Sequence, residues 1–237
     1  MSVKDTQVDI DSIVDDLLKD SNLKTSMEVK TPSGKIVQVR PITFQEEKEF
    51  VSVANRGGDP GNLLIDKCTT SSDKASLLLI DKIFLLFKLR ELSFGSTYTF
   101  STSCPACKTQ QKFDVDLNIL PVVHLEDSER TVTVTLPMCG KEVVVRRALI
   151  SDEDILSNPV LVMDNLWRFV ESFADNTDEM VIQRVIERLP AGDLNLIMST
   201  ITAEGYGLST DIMFACAKCN HQSPMALPLS KDFFSAS

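Results

Sequence analysis

Apolar and polar positions alternate in two separate stretches of the chain, each followed by helical periodicity. Residues 27–40 and 131–147 alternate around breaker residues and predict β-hairpins. After the first hairpin, Thr43 and Glu46 have the spacing of a capping box, which predicts the start of a helix. A later helix has apolar positions at helical spacing, which predict a buried face: Leu77, Ile80, Phe84 and Phe87.

Helical segments also follow the second hairpin. An acidic stretch, residues 152–154, opens the first of them, where the positive end of the helix dipole favours carboxylates. These carboxylates are adjacent in one turn and have no base or nucleophile with them, so we expect them to face solvent. Residues 159–174 are apolar enough to predict core or interface, and 178–189 and 193–203 predict the remaining helices.

Cysteines occur in pairs between strand-like segments. Cys104 and Cys107 form one C-x-x-C turn, and Cys216 and Cys219 form another. Two such turns, each at the tip of a predicted hairpin, indicate a metal site with four thiolate ligands. Four protein ligands leave no open position for water, so we expect a structural Zn²⁺, with iron on the same four sulfurs as the alternative.

Other interpretations of the cysteines are less favourable. Disulfides would need an oxidising compartment. A thioredoxin-like pair would need a helix after the first cysteine, where polar, strand-forming residues follow instead. Cys68 and Cys139 have no partner at ligand spacing and are interpreted as ordinary thiols. His221 lies two residues after Cys219, and we expect it to hydrogen-bond within the turn.

Sequence similarity between the two halves predicts an internal duplication. The cysteine pairs are 112 residues apart, and residues 34–40 parallel residues 140–146 at an offset of 106. The predicted fold is therefore α+β, with two similar halves joined about one four-cysteine site. Each half has a hairpin, then helices, and then a knuckle, the hairpin that carries one C-x-x-C turn. We expect an N-terminal arm over residues 1–24, a first repeat over 25–125, and a second repeat with the C-terminal tail over 126–237.

Composition and charge narrow the possible partners. The formal net charge is −10 and the pI is about 4.7, with basic residues dispersed among acidic ones, so we expect no nucleic-acid partner. The apolar run 75–87 is interrupted by charges and is too short to span a bilayer, so we expect no membrane partner. The start Met-Ser-Val-Lys-Asp lacks the apolar stretch of a signal peptide, and we expect folding in a reducing cytosol.

Both ends of the chain carry candidate contact residues. The arm has aspartates opposite apolar residues at helical spacing and predicts an amphipathic helix that packs on its own domain or docks on a partner. The aromatic tail is either core or an exposed contact patch. The candidate partner-binding residues share an apolar side chain near one terminus: Ile10, Ile13, Val14, Leu17, Phe233 and Phe234.

Two short segments carry a resemblance to a known family. The hairpin-to-helix passage Val39-Arg40-Pro41-Ile42-Thr43-Phe44 and the turn Leu92-Ser93-Phe94-Gly95 resemble the T4-type bacteriophage baseplate hub subunit family. The resemblance implies a structural virion protein of a contractile tail baseplate, assembled in the host cytoplasm. It implies other hub or wedge proteins as partners, an oligomer within the assembly as a further possibility, and no catalytic residues.

Two other classes of function follow from the cysteine pattern. A zinc-ribbon protein that binds nucleic acid is one alternative, but Asp114 and Asp116 on the strand after the first turn argue against it. An enzyme with a thiol or metal centre is the other, and no nucleophile–base constellation in the sequence supports it. We therefore expect no catalytic activity.

Overall fold

The fold was analysed in a computed structural model that describes residues 13, 14, 17, 26–71, 74–126, 130–229 and 231–234, without the side chains of 231 and 232. The described residues form helices and antiparallel sheets, as predicted. Ile10 of the predicted arm lies outside them, and so does the pair Ser72-Asp73, which the sequence predicts as the cap of the helix with Ile80 and Phe84. In the described part of the chain, no helix has the length and apolar character needed to cross a membrane.

Elements of the first half run in the order of the predictions. Its strands are β1 (Met27–Lys30), β2 (Ile36–Val39), β3 (Thr69–Thr70), β4 (Thr97–Ser103), β5 (Gln110–Asp116) and β6 (Val122–Val123). Its helices are α1 (Phe44–Asn55), α2 (Pro60–Cys68) and α3 (Leu79–Phe94). The predicted capping box opens α1, because the Thr43 side chain accepts from the backbone of Glu46 while Glu46 accepts from the Thr43 N–H.

The second half repeats much of this order. Its strands are β7 (Thr131–Thr135), β8 (Glu142–Arg146), β9 (Val170–Phe173), β10 (Gly207–Leu208), β11 (Asp211–Ala215) and β12 (Gln222–Ala226). Its helices are α4 (Glu153–Leu156), α5 (Pro159–Asn165), α6 (Glu179–Ile186) and α7 (Ala191–Thr202). Short 3₁₀ turns lie at Lys74–Ser76, Leu117–Ile119, Ile150–Asp152, Leu166–Phe169 and Lys231–Phe234.

Each predicted hairpin gains a third antiparallel strand that periodicity did not reveal. β3 pairs with β2, and β9 pairs with β8 through a bulge between Val144 and Val145. β3 is only two residues long, which is too short for an alternating pattern. A further two-stranded pairing joins β6 to β10, so the end of the first half is bonded to the second.

The described residues form two large hydrophobic cores and a third, small cluster of Cys104, Phe214 and Cys216. The first packs α1, α2 and α3 against the β1–β2 hairpin and β4, around fully buried Leu64, Leu85 and Leu89. The second packs α6 and α7 against β7–β8 and the 166–169 turn, around Phe169 and Ile197. The first core also takes in Leu227 and the C-terminal aromatics, so the end of the chain returns to the first half.

The aromatic tail is part of the first core in this structure. Phe233 and Phe234 are 1% and 8% exposed. Phe233 packs against Phe87 and Tyr98 at ring-centroid distances of 4.8 and 4.9 Å, and Phe234 packs against Phe50 at 5.1 Å. Of the two alternatives for the tail, core or exposed patch, the structure has the core, because the rings fill a slot between α1, α3 and β4.

Two of the three acidic residues at 152–154 do not face solvent as expected. Asp152 forms a bidentate pair with Arg146, with N–O distances of 2.6 and 3.0 Å. Glu153 bonds to Lys82, which is 5% exposed and also bonds to Asp59. Lys82 needs these two carboxylates because a buried ammonium is costly without an ionic partner. The first helical turn of the second half is thus fixed to α3.

Candidate metal centre

Two antiparallel hairpins carry the four cysteines of the predicted metal site. β4 and β5 pair over seven positions, from Thr97 opposite Asp116 to Ser103 opposite Gln110. β11 and β12 pair over five, from Asp211 opposite Ala226 to Ala215 opposite Gln222. In both hairpins the first cysteine comes directly after the incoming strand, and the second lies in the turn, so the sulfurs lie at the hairpin tips.

The two turns have the same backbone hydrogen bonds. The N–H of Cys104 donates to the carbonyl of Thr109 at 3.0 Å, and that of Lys108 donates to the carbonyl of Cys104 at 2.9 Å. In the second turn, Cys216 donates to His221 and Asn220 donates to Cys216, both at 2.9 Å. The residue after each second cysteine has positive φ, 59° at Lys108 and 55° at Asn220, which lets the chain reverse around the thiol pair.

The structure brings all four predicted sulfurs together. The Sγ atoms of Cys104 and Cys219 are 3.7 Å apart, and those of Cys107 and Cys216 are 3.6 Å apart. All four lie within 4.8 Å of one another. A tetrahedral Zn²⁺ with Zn–S bonds of about 2.3 Å requires sulfurs about 3.8 Å apart, whereas a disulfide requires about 2.05 Å. The spacing therefore fits one tetrahedral cation held by four thiolates.

An apolar base and one polar side chain hold the tips together. Phe113 from the first hairpin packs against Phe214 from the second, with ring centroids 4.9 Å apart. The Gln111 side chain accepts from the Ala217 N–H at 3.1 Å and donates to the Ala215 carbonyl at 3.5 Å. Sequence reasoning missed Gln111 because its partners lie more than 100 residues away. Its position four residues after Cys107 was the one available signal.

Neighbouring hydrogen-bond donors favour the thiolate form of Cys107 and Cys216. The hydroxyl of Thr109, followed by its N–H, lowers the pKa of Cys107 to about 6. Backbone N–H groups, that of Cys219 first, lower the pKa of Cys216. At Cys219 the His221 N–H opposes the shift, but burial and the nearby sulfurs raise the pKa to about 12. Four thiolates repel one another, so a bound cation is needed for all four to ionise together.

The remaining cysteines lie apart from this cluster. Cys68 is buried, and its thiol donates to Glu46 at 3.4 Å. Burial, together with that carboxylate, raises the pKa of Cys68 to about 12, so this thiol is poorly suited to metal or redox chemistry. Cys139 is exposed at the turn of the β7–β8 hairpin. Neither belongs to the group of four sulfurs.

The arm residues that the structure describes are exposed. Ile13, Val14 and Leu17 are helical and 48%, 44% and 76% exposed. Their side chains are therefore not buried in either core. The docking interpretation of the arm remains a prediction, and Ile10 cannot be placed with them because it lies outside the described residues.

Comparison with known proteins was made at three levels. A family model described as T4 bacteriophage base plate protein matches residues 23–234. The search of curated proteins found no match, and neither did the search of solved structures. The family match covers nearly the whole chain and confirms the resemblance carried by residues 39–44 and 92–95. The chain therefore belongs to the T4 bacteriophage base plate protein family, whose place is the tail baseplate of the phage virion.

Proposed function

We propose that this chain is a non-enzymatic structural subunit of the baseplate hub, and that a Zn²⁺ bound by Cys104, Cys107, Cys216 and Cys219 braces it for contact with other hub or wedge proteins. One observation carries the zinc proposal: four sulfurs from hairpins 112 residues apart converge within 4.8 Å. A site with four protein ligands has no position for a reacting water, so the metal acts on folding and not on chemistry.

Zinc is preferred over iron as the occupant. Both ions take four thiolates in a tetrahedron, and the sulfur spacing fits either. Zinc is the usual ion of paired C-x-x-C knuckles and undergoes no redox change. Metal analysis of the purified protein distinguishes the two directly: zinc at one equivalent per chain supports the proposal, and iron at that ratio contradicts it.

An internal duplication accounts for the matched contacts of the halves. Arg40 and Glu46 form a bidentate pair with N–O distances of 2.6 and 3.0 Å, the lengths found for Arg146 and Asp152 at an offset of 106. At the offset of 112, Asp81 of α3 accepts from the Ser33 N–H, and Asp193 of α7 accepts from the Met138 N–H. Repeated contacts of this kind support two repeats, with boundaries near 25–125 and 126–237.

In this proposal each repeat owns half of the metal site. Zinc then fastens two lobes that are also joined by the β6–β10 pairing and by the return of the C-terminal tail to the first core. A subunit braced in this way keeps its outer surfaces in fixed positions, which suits a component of a load-bearing assembly.

Protein partners are favoured over nucleic acid by the surface of the hairpins. Asp114, Asp116 and Asp211 are exposed on the outer strands, and carboxylates repel a phosphate backbone. A zinc-ribbon protein that binds nucleic acid normally presents basic and aromatic side chains there. The exposed apolar residues Ile13, Val14 and Leu17 offer a protein-binding element instead.

The experiment that tests the baseplate role uses phage that lack this chain. Particles are produced in host cells that supply wild-type protein, Cys216→Ser or Cys139→Ser in trans. We expect wild type and Cys139→Ser to restore tailed, infectious particles that contain the chain, and Cys216→Ser to fail. Infectious particles assembled without the chain, or particles in which it is absent from purified tails, would refute the structural role.

A further inference from the structure

Helix α6 presents an exposed apolar face bordered by arginines. Met180 and Val181 are 78% and 41% exposed, and Val185 lies one helical turn after Val181. Arg184 and Arg188 follow Met180 at successive turns, so they form a basic row beside the apolar one. These five side chains, together with Gln183 and Glu187, line a depression with a volume of about 480 Å³. Apolar surface of this kind on a structural protein is typical of a contact site.

The N-terminal arm has the complementary character. Its described apolar residues, Ile13, Val14 and Leu17, are exposed on a helix and are not covered by the chain's own cores. Residues 1–24 contain six aspartates and three lysines. In the sequence, Asp9 lies four residues before Ile13 and Asp16 three residues after it, the spacing of side-by-side positions on a helix.

We propose that residues 9–20 of one copy dock on the α6 face of a second copy of this chain. The apolar row of the arm would cover Met180, Val181 and Val185, and its aspartates would meet Arg184 and Arg188. This inference rests on the proposed role of the arm as a contact element, and it adds the partner. Both complementary surfaces are present in one chain, so two copies can contact each other reciprocally or link head to tail.

The existing pairing of Arg184 does not block such a contact. Its guanidinium bonds to Glu187 at 3.0 Å, but the Arg184 side chain is 75% exposed. A solvent-exposed pair at i,i+3 spacing contributes little free energy. Loss of this pair on docking therefore costs little free energy, and burial of the apolar rows supplies the driving force.

The first test is sedimentation velocity of the full-length chain over a range of protein and salt concentrations. We expect reversible self-association that weakens as salt rises, because exposed charges are screened. Met180→Glu should raise the dissociation constant by about tenfold or more, the loss of affinity expected when an interface anchor is replaced. The matched control is Met163→Glu on α5, where the side chain is 80% exposed, and it should leave association unchanged.

A charge exchange then tests whether the arm is the occupant. Asp9→Lys with Asp16→Lys should abolish self-association, and so should Arg184→Glu with Arg188→Glu. An equimolar mixture of these two proteins should associate again, because each arm then faces a surface of opposite charge. Circular dichroism of each protein checks that it is folded.

Two results would overturn the inference. One is a wild-type chain that stays monomeric at every concentration in low salt. The other is self-association that survives Met180→Glu and the charge reversals unchanged. Both results come from purified protein, so neither of them bears on the baseplate role. That role is tested separately, in assembled particles.

Discussion

Two thiols of the chain, Cys107 of the proposed metal site and Cys68, lie in opposite surroundings. Cys107 has the hydroxyl and N–H of Thr109 as donors, which lower its pKa to about 6. Cys68 is buried next to the carboxylate of Glu46, and its pKa is raised to about 12. The C-x-x-C spacing identified the same division, because two cysteines in one turn are close neighbours in any fold that keeps the turn.

Replacement of one ligand should therefore cost both metal and stability. Cys104→Ser is expected to lose the zinc and to destabilise the protein by several kcal/mol, since metal binding supplies folding free energy directly. Metal content and thermal unfolding measure the two effects. Cys139→Ser, at an exposed thiol outside the cluster, is the control and should melt like wild type. Equal melting of all three proteins would show that no structural metal is bound.

Glu46 should make the protein sensitive to acid. Its hydrogen bonds to Arg40 lower its pKa from 4.5 to about 2. A lowered folded-state pKa gives stability that is complete above pH 4.5 and is lost as the pH falls toward 2. Near neutral pH, Glu46→Gln should therefore be less stable than wild type, by roughly 2 kcal/mol.

Chemical denaturation of both proteins between pH 6 and about pH 3 measures this difference. It should shrink as the pH falls below 4.5, since the Glu46 carboxylate then becomes protonated in the unfolded chain while it stays ionised in the folded one. The effect of acid on the metal site is common to both proteins and cancels. A difference that stays constant with pH would show that the Arg40 pair does not set the pKa.

At the scale of elements, two buried aspartates join helices to hairpin turns. Asp81 is fully buried and accepts from the N–H and hydroxyl of Ser33 at 2.9 and 2.6 Å. Asp193, also fully buried, accepts from the N–H groups of Met138 and Cys139 at 2.8 and 3.1 Å. Each carboxylate accepts two hydrogen bonds from one hairpin turn, so each fixes one hairpin on one helix.

Substitution of these aspartates should destabilise both halves to a similar extent. In Asp81→Asn and Asp193→Asn the amide presents donors where the hairpins also present donors, and each change should cost about 1–3 kcal/mol. Denaturant unfolding of the two variants is the measurement. Asp154→Asn, at an exposed position of α4, should change stability by less than about 0.5 kcal/mol. A neutral result at both buried positions would remove the carboxylates from this role.

At the scale of the whole molecule, the stability of the two cysteine hairpins, β4–β5 and β11–β12, should depend on the metal more than the stability of the second core does. Each knuckle is a two-stranded hairpin, and such hairpins are marginal alone in water. Removal of the metal with a chelator should therefore speed hydrogen exchange first in β4, β5, β11 and β12. The backbone of α6 and α7 around Ile182 and Ile197 should stay protected. Uniform exchange in all elements would show that the metal holds the entire fold.

Local patterns in the sequence were enough for the parts of the fold whose contacts are close along the chain. The capping box at Thr43 and Glu46, the hairpins 27–40 and 131–147, and the buried helix face with Phe84 and Phe87 all depend on neighbours within one or two turns. Leu77 is buried too, but it lies before the helix, which begins at Leu79. Contacts between distant residues were not visible. β3 is too short to have a period, and the position of Gln111 near the first cysteine turn does not indicate that it bonds to residues 215 and 217.

The sequence by itself determined the class of elements, the four candidate ligands and the family, because hydrophobic period, turn chemistry and cysteine spacing are local. Only the tertiary structure decided that Phe233 and Phe234 fill the first core, that Glu153 faces Lys82 instead of water, and that Gln111 joins the two cysteine turns. Each of these depends on which surfaces are removed from water together. That choice is made by the packing of the entire chain, and no segment carries it alone.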